Sequence, residues 1–162
     1  MLKTCIESLF SYTVYPFKVI VVDNSGVGEI KASLPPASNT YVEVLEPENN
    51  LGWMLSHELA LENCDTTYYC MLNDDVVFLP GQKDFWRRLI EHLSEEVGAV
   101  GPGSNFVAGN QSILNVNCPI ICDSSFLIGF CMVLKTEVLR KIGGLDTRLP
   151  GGDDLDLSIR LR

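Results

Sequence analysis

The chain has 162 residues, 46% hydrophobic and 20% charged, the balance of a globular domain large enough to bury a core. Its net charge of −9 argues against nucleic acid or an anionic membrane surface as the main partner, yet admits a phosphorylated substrate, because a bound divalent cation reverses the local sign. No apolar run approaches the ~20 residues of a membrane-spanning helix, and Met1-Leu2-Lys3-Thr4-Cys5 lacks the apolar stretch of a secretion signal.

In chain order, Leu2, Cys5, Ile6, Leu9 and Phe10 recur at helical spacing and predict an opening amphipathic helix. Phe17 to Val22 is a β-branched run after Pro16 that reads as a buried parallel strand. Asp23-Asn24-Ser25-Gly26 ends it with turn chemistry. A short strand is expected at Tyr41 to Val44, then a loop at Asn49-Asn50-Leu51-Gly52 and a helix over Trp53 to Asn63. Tyr68 to Leu72 reads as the next buried strand, ending on Asn73-Asp74-Asp75. Phe85, Trp86, Leu89, Ile90 and Leu93 mark a helix with one apolar face, and Val97 to Val100 a strand. Residues 103–119 lose the pattern in Gly, Asn and Ser and read as loops with at most one short strand. Phe126 to Leu134 is strand-like, Thr136 to Ile142 helical with Gly143-Gly144 as its cap, and Asp153 opens a last helix. Strands alternating with helices imply an α/β fold with a mostly parallel sheet.

The six cysteines, Cys5, Cys64, Cys70, Cys118, Cys122 and Cys131, include no paired spacing that completes a zinc site. They are expected to be reduced structural thiols of a cytoplasmic protein. His57 and His92 read as partly exposed or satisfied histidines, and Trp53 and Trp86 as core.

Acids follow two predicted buried strands, Asp23 after the first and Asp74 and Asp75 after the other. In open α/β sheets the carboxyl ends of strands line the ligand crevice, and carboxylates there hold hard cations through oxygen. Asp and Asn also simply end strands, so spacing alone does not identify the ligand. A third cluster, Asp153, Asp154 and Asp156, stands at a helix start after Gly151-Gly152. Complementing the helix dipole explains one or two of these acids well and the mutual repulsion of all three poorly.

Taken in order, these segments resemble the GT-A glycosyltransferases of family 2, especially the rhamnosyltransferase-like branch. Val21-Val22-Asp23-Asn24-Ser25 resembles the family's base-binding strand end, and Asn50-Leu51-Gly52-Trp53 its "N-x-G-aromatic" turn. Asn73-Asp74-Asp75 stands where the family keeps its "DxD" metal motif, Gly129 to Lys135 resembles the strand near the acceptor, and Asp153-Asp154-Leu155-Asp156-Leu157 resembles the "ED-x-D-L" helix start. The resemblance implies a single partial GT-A domain over residues 1–162, with a Rossmann-like, mostly parallel sheet flanked by helices. It implies that Asp23 and Asn24 contact the nucleotide, with Asp74 facing the ribose or the metal. Asp75, and Asn73 with its uncharged amide oxygen, would hold Mg²⁺ or Mn²⁺. Asp154 would be the general base of an inverting transfer, with Asp153, Asp156 and Gly129 on the acceptor side. The implied partners are a UDP-, GDP- or dTDP-linked sugar and a glycan or lipid-linked acceptor in polysaccharide or cell-surface glycan synthesis. The implied location is cytoplasmic, or peripheral to the inner face of the membrane.

Against the family pattern, the first strand with its Pro-Thr-Tyr-Asn-like loop is not in this sequence, and the last helix stops a few residues in. The expectation is a chain truncated at both ends, with self-association through the unfilled sheet. An alternative is a non-catalytic fragment that binds a nucleotide or serves as an interaction module. A receiver-like phosphoacceptor domain also places acids after two strands. It needs a basic and a small hydroxyl residue at later strand ends, where Gly101-Pro102-Gly103 offers neither.

Overall fold

In the computed structural model the described residues are 1–34, 42–105, 107, 109–114 and 121–162. They pack as two compact units, one of Met1–Asp65 with Asp74–Arg87, the other of Thr66–Asn73 with Arg88–Arg162.

The first unit opens with α1 (Leu2–Tyr12), whose Cys5, Ile6 and Leu9 are buried as the helical spacing predicts. Strand β1 (Val19–Val22) follows, shorter than the apolar run that announced it. It pairs in parallel with β2 (Val42–Leu45), Val19 opposite Val42 and Val22 opposite Leu45. Between them lies the single-turn α2 (Ile30–Ser33). Ile6, Val21 and Leu34 form the core of this layer, with Leu2, Phe10, Val19, Ile30, Val42 and Val44 packed on it. Helix α3 (Gly52–Glu62) comes next. The segment after Asp75 is tied to α1, since Phe78 N–H donates to Ser8 Oγ at 3.0 Å and Trp86 Nε1–H to Thr13 Oγ1 at 3.3 Å. Phe10, Phe17, Phe78, Phe85 and Trp86 stack around those bonds at ring separations of 4.8–6.4 Å.

The second unit is built on β3 (Tyr68–Leu72), β4 (Ala99–Val100) and β5 (Cys131–Lys135), in the order β3-β5-β4. Helix α4 (Phe85–Ile90) precedes β4 and ends before Leu93, short of the apolar pattern. Strand β5 is antiparallel to both neighbours. A parallel neighbour needs a crossover connection, usually a helix, and between β4 and β5 the described residues hold only the 3₁₀ turn Gly109–Gln111. Parallel pairing is therefore confined to β1 and β2 among the described strands. Cys131, Met132, Val133 and Leu134 are all buried, so β5 is the centre of this layer. Its hydrogen bond to Cys70, together with burial, raises the Cys131 thiol well above its ordinary range and keeps it a packing group. Helix α5 (Thr136–Lys141) closes with Gly144 N–H on Leu139 O at 2.9 Å, and α6 (Asp153–Arg160) ends the chain.

Two expectations shift. Phe126 to Leu134 is not one strand, because β5 begins only at Cys131. Trp86 is buried as expected, but Trp53 is 38% exposed. It occupies the first turn of α3 and lays its ring edge-on to His57, one turn on, at 4.3 Å.

Candidate functional site

Strand β1 delivers Asp23 to the end of its ladder, where the Asp23 N–H still bonds Leu45 O at 2.8 Å. The side chain is 1% exposed. Its Oδ1 accepts the Ser25 N–H at 2.9 Å in a tight Asx turn. Its Oδ2 is buried with no hydrogen-bond partner among the described residues. A buried carboxylate oxygen without a donor costs free energy, and native structures keep few of them.

Asn24 is engaged with the start of α3. Its Oδ1 accepts the Leu51 N–H at 2.9 Å, and its Nδ2 donates to Ser56 Oγ at 2.8 Å. Asn50 Oδ1 accepts the Gly52 N–H at 2.8 Å. The two asparagines thus take main-chain donors at the start of α3, where a helix leaves N–H groups unsatisfied. Asn24 ties the loop after β1 to α3. Ser56 completes the link, and no spacing in the sequence signals it. On the same helix His57 is half-buried, and burial pushes its imidazole down to about 4, so it is neutral near pH 7.

Asp74 and Asp75 follow β3, and both are exposed. Neither carboxylate has a hydrogen bond or ion pair among the described residues. Asn73 lies half-buried at the strand end, its N–H bonded to Phe130 O at 2.9 Å. No group of three or more His, Cys, Asp or Glu side chains placed to hold a metal occurs among the described residues. Mg²⁺ in particular is commonly held by only one or two protein carboxylates, with water and substrate phosphate completing the shell. Two adjacent exposed carboxylates at a strand end fit that requirement.

In the second unit the structure brings Gly129 and Asp154 together. Gly152, with φ +76°, turns the chain into α6 and puts Asp153, Asp154 and Asp156 in its first turn. Asp154 Oδ1 accepts the Leu155 N–H at 2.9 Å, and Oδ2 the Gly129 N–H at 3.4 Å. Asp156 is engaged elsewhere. Its Oδ2 accepts Arg160 Nε–H at 2.8 Å, while Arg160 Nη2 sits 2.7 Å away but off the hydrogen-bonding line. Arg160 Nη1 then donates to Ile142 O and Gly144 O at 3.1 and 2.7 Å, anchoring α6 on the turn that closes α5. The i,i+4 spacing of Asp156 and Arg160 was the sequence signal for that pair. Asp153 is half-buried.

The family model described as "Glycosyl transferase family 2" matches residues 1–113, more than half of the chain. The chain belongs to glycosyl transferase family 2. Asp23, Asn24, Asn73, Asp74 and Asp75 lie inside the family 2 match, whereas Gly129, Asp153, Asp154 and Asp156 lie beyond it. The pre-mycofactocin glycosyltransferase of Mycobacterium tuberculosis, in two strains, is 24% identical across 89% of this chain. The chain spans about a third of that relative's length, 33%. Among solved structures, a mannosyltransferase from Pyrobaculum calidifontis in complex with GDP-Man and Mn²⁺ matches with TM-score 0.72 at 18% identity, over 96% of this chain and 46% of that one. GalNAc-T7 with UDP, GalNAc and Mn²⁺ matches with TM-score 0.62 at 11% identity, over 97% and 37%. The fold is therefore the GT-A fold of these glycosyltransferases. Among the described residues, no helix is long and apolar enough to cross a membrane.

Proposed function

We propose that this chain carries the donor-binding and base-bearing parts of an inverting glycosyltransferase. It moves a sugar from a nucleoside-diphosphate sugar to an acceptor hydroxyl. The observation that carries the reading is the Asp23 carboxylate, with one oxygen fixed by Ser25 and the other buried without a donor. Nucleotide binding would have to uncover this oxygen, and would then give it a base N–H or a ribose hydroxyl as donor. Asn24, whose amide already bridges to α3, works on the nucleotide side by fixing the loop around Asp23.

Asp154 removes the proton from the acceptor hydroxyl as that oxygen bonds the anomeric carbon and the bond to the diphosphate breaks. Single displacement inverts the anomeric centre. Asp75, with Asp74 and Asn73 beside it, would hold Mg²⁺ or Mn²⁺, which would supply positive charge to stabilise a departing diphosphate. Asp153 and Gly129 border the base on the acceptor side, and Asp156 acts there through Arg160.

The finer assignments rest on the sequence resemblance: the rhamnosyltransferase-like branch, a glycan or lipid-linked acceptor and a cytoplasmic or membrane-peripheral setting. So does the single partial domain over residues 1–162. Among the described strands, β1 and β3 are each the edge of their sheet, an arrangement open to an added strand and hence to self-association. Sedimentation at rising concentration tests that point.

The function itself is tested by calorimetric titration of the protein with UDP, GDP and dTDP, with and without Mn²⁺. Binding of one nucleotide, tightened by Mn²⁺, is expected. A protein that binds none of the three in either condition refutes the reading.

A further inference from the structure

Residues 127–129 run into β5 without joining a strand ladder. Their three consecutive N–H groups go to three side chains instead. Leu127 N–H donates to Ser158 Oγ at 3.1 Å, Ile128 N–H to Gln111 Oε1 at 2.6 Å and Gly129 N–H to Asp154 Oδ2 at 3.4 Å. This is the physical reason that the apolar run from Phe126 does not extend β5 backwards: its donors are already committed.

Gln111 is only 7% exposed although its side chain is polar. Its Nε2 donates to Pro102 O at 3.1 Å, and its main-chain carbonyl accepts the Ser104 N–H at 2.7 Å, so the amide is held at both ends. Gly101 leaves room for it, because a Cβ there would lie 2.9 Å from Cys131 O and 3.1 Å from Gln111 Nε2. The side chain is therefore seated between the loop after β4 and the segment before β5. Ser158 holds the same segment from α6, one turn after Asp154.

We infer that Gln111 and Ser158 are positioning residues that set the height of segment 127–129, so that the Gly129 N–H aims the Asp154 carboxylate. The inference rests on the reading of Asp154 as general base. Asp154 Oδ1 is already held by the helix's own Leu155 N–H, so among the described residues Gly129 alone fixes the turn of the second oxygen. At 3.4 Å that bond is near its limit, and a displacement of a few tenths of an ångström releases it. Neither Gln111 nor Ser158 touches the carboxylate itself; both act through the main chain. A base that must meet one hydroxyl proton is sensitive to such a loss of aim.

The test uses the intact protein, with Gln111→Leu and the paired substitutions Ser158→Ala and Ser158→Thr. Gln111→Leu and Ser158→Ala remove the acceptor, and Ser158→Thr keeps an oxygen in place. The first readout is the Gly129 amide proton by NMR. In the parent and in Ser158→Thr, Asp154→Asn shifts that proton; in Ser158→Ala and Gln111→Leu it no longer does so. Release of sugar from UDP-glucose and GDP-mannose, with water as acceptor, is the second readout. There Ser158→Ala and Gln111→Leu lower kcat by roughly tenfold to a hundredfold and leave the KM for the nucleotide sugar within about twofold, and Ser158→Thr restores the kcat. If Gln111→Leu does not fold, the Ser158 pair decides alone. A Gly129 proton that still answers to Asp154→Asn in Ser158→Ala overturns the inference. So does full kcat in Ser158→Ala when Asp154→Asn is inactive, a result that leaves the base assignment standing. Full turnover by Asp154→Asn removes the base assignment, and the inference with it.

Discussion

Strands β1 and β3 both lead into aspartates, and they end differently. Asp23 after β1 is buried, bonded to its own turn and backed by an asparagine that locks α3. Asp74 and Asp75 after β3 stand exposed without side-chain partners among the described residues. In sequence the two sites look alike, as an apolar run followed by carboxylates. Burial separates their chemistry. A desolvated, immobilised oxygen suits a directed hydrogen bond to one donor, whereas exposed carboxylates keep the hydration and freedom that suit a cation shared with phosphate and water. Under the proposed function, the first end would recognise the nucleotide and the second would carry the metal's charge.

The largest expected effect lies outside both ends and isolates chemistry from binding. Asp154→Asn leaves nucleotide affinity near normal and cuts transfer by about 10²–10⁴-fold, since an amide cannot take the acceptor's proton. Parallel loss of binding and turnover would make Asp154 a structural residue. Next comes the buried end. Asp23→Asn keeps the shape but removes the charge and one acceptor. Nucleotide affinity should fall roughly tenfold to a hundredfold, the range for a hydrogen bond to a charged group, with or without Mn²⁺. At the exposed end, Asp75→Ala should erase only the Mn²⁺-dependent part of the affinity. Its effect on folding stability should stay within about 0.5 kcal/mol, as for a surface change. Asn73→Asp should keep or strengthen the Mn²⁺ effect. If Asp23→Asn lost only the Mn²⁺ effect while Asp75→Ala lost metal-free binding, the contrast between the two ends would be reversed.

Much of this contrast is legible in the sequence and part of it is not. The strands at Val19–Val22 and Tyr68–Leu72 and the helices from Leu2, Gly52, Thr136 and Asp153 follow from apolar period and glycine placement. So do the positions of Asp23 and Asp75 just past the strands and of Asp154 in the first turn of the last helix. The antiparallel direction of β5 is not legible, because an irregular connection carries no periodic signal for strand direction. The strand that fails to form over 126–130 is hidden for a related reason. Its apolar residues predict a ladder, but its amides are claimed by Gln111, Ser158 and Asp154 from distant positions in the sequence. Trp53 reads as core by type, yet the first turn of α3 leaves its ring outside. The partners of Asn24 are equally invisible, since it meets Leu51 and Ser56 only after the chain has folded.

The smallest expected effect tests the rigidity of the buried end by pH. His57 lies on α3, the helix that Asn24 and Asn50 hold by its first amides. Burial lowers its folded pKa to about 4 from 6.5. Between those values the unfolded chain binds a proton that the folded chain refuses, so this contribution to stability is complete above about pH 6.5 and is lost as pH falls toward 4. Asp146 provides an internal contrast, because its hydrogen bonds from Arg148 hold it down to about 2 and keep it ionised throughout that window. Its contribution is lost only as pH falls further, toward about 2. Acidification from pH 7 to 4.5 should therefore loosen α3 first and speed exchange of the Leu51 amide, which Asn24 holds, more than that of the Asn73 amide on Phe130. Exchange rates need correction for their intrinsic pH dependence before the two amides are compared. In His57→Phe, which cannot take up a proton, the Leu51 amide should keep its protection across the same range, and the stability of the protein should fall less steeply with pH. Equal slopes in the parent and His57→Phe would show that His57 does not link acid to the buried end, and that the lock formed by Asn24 withstands pH independently of the helix it holds.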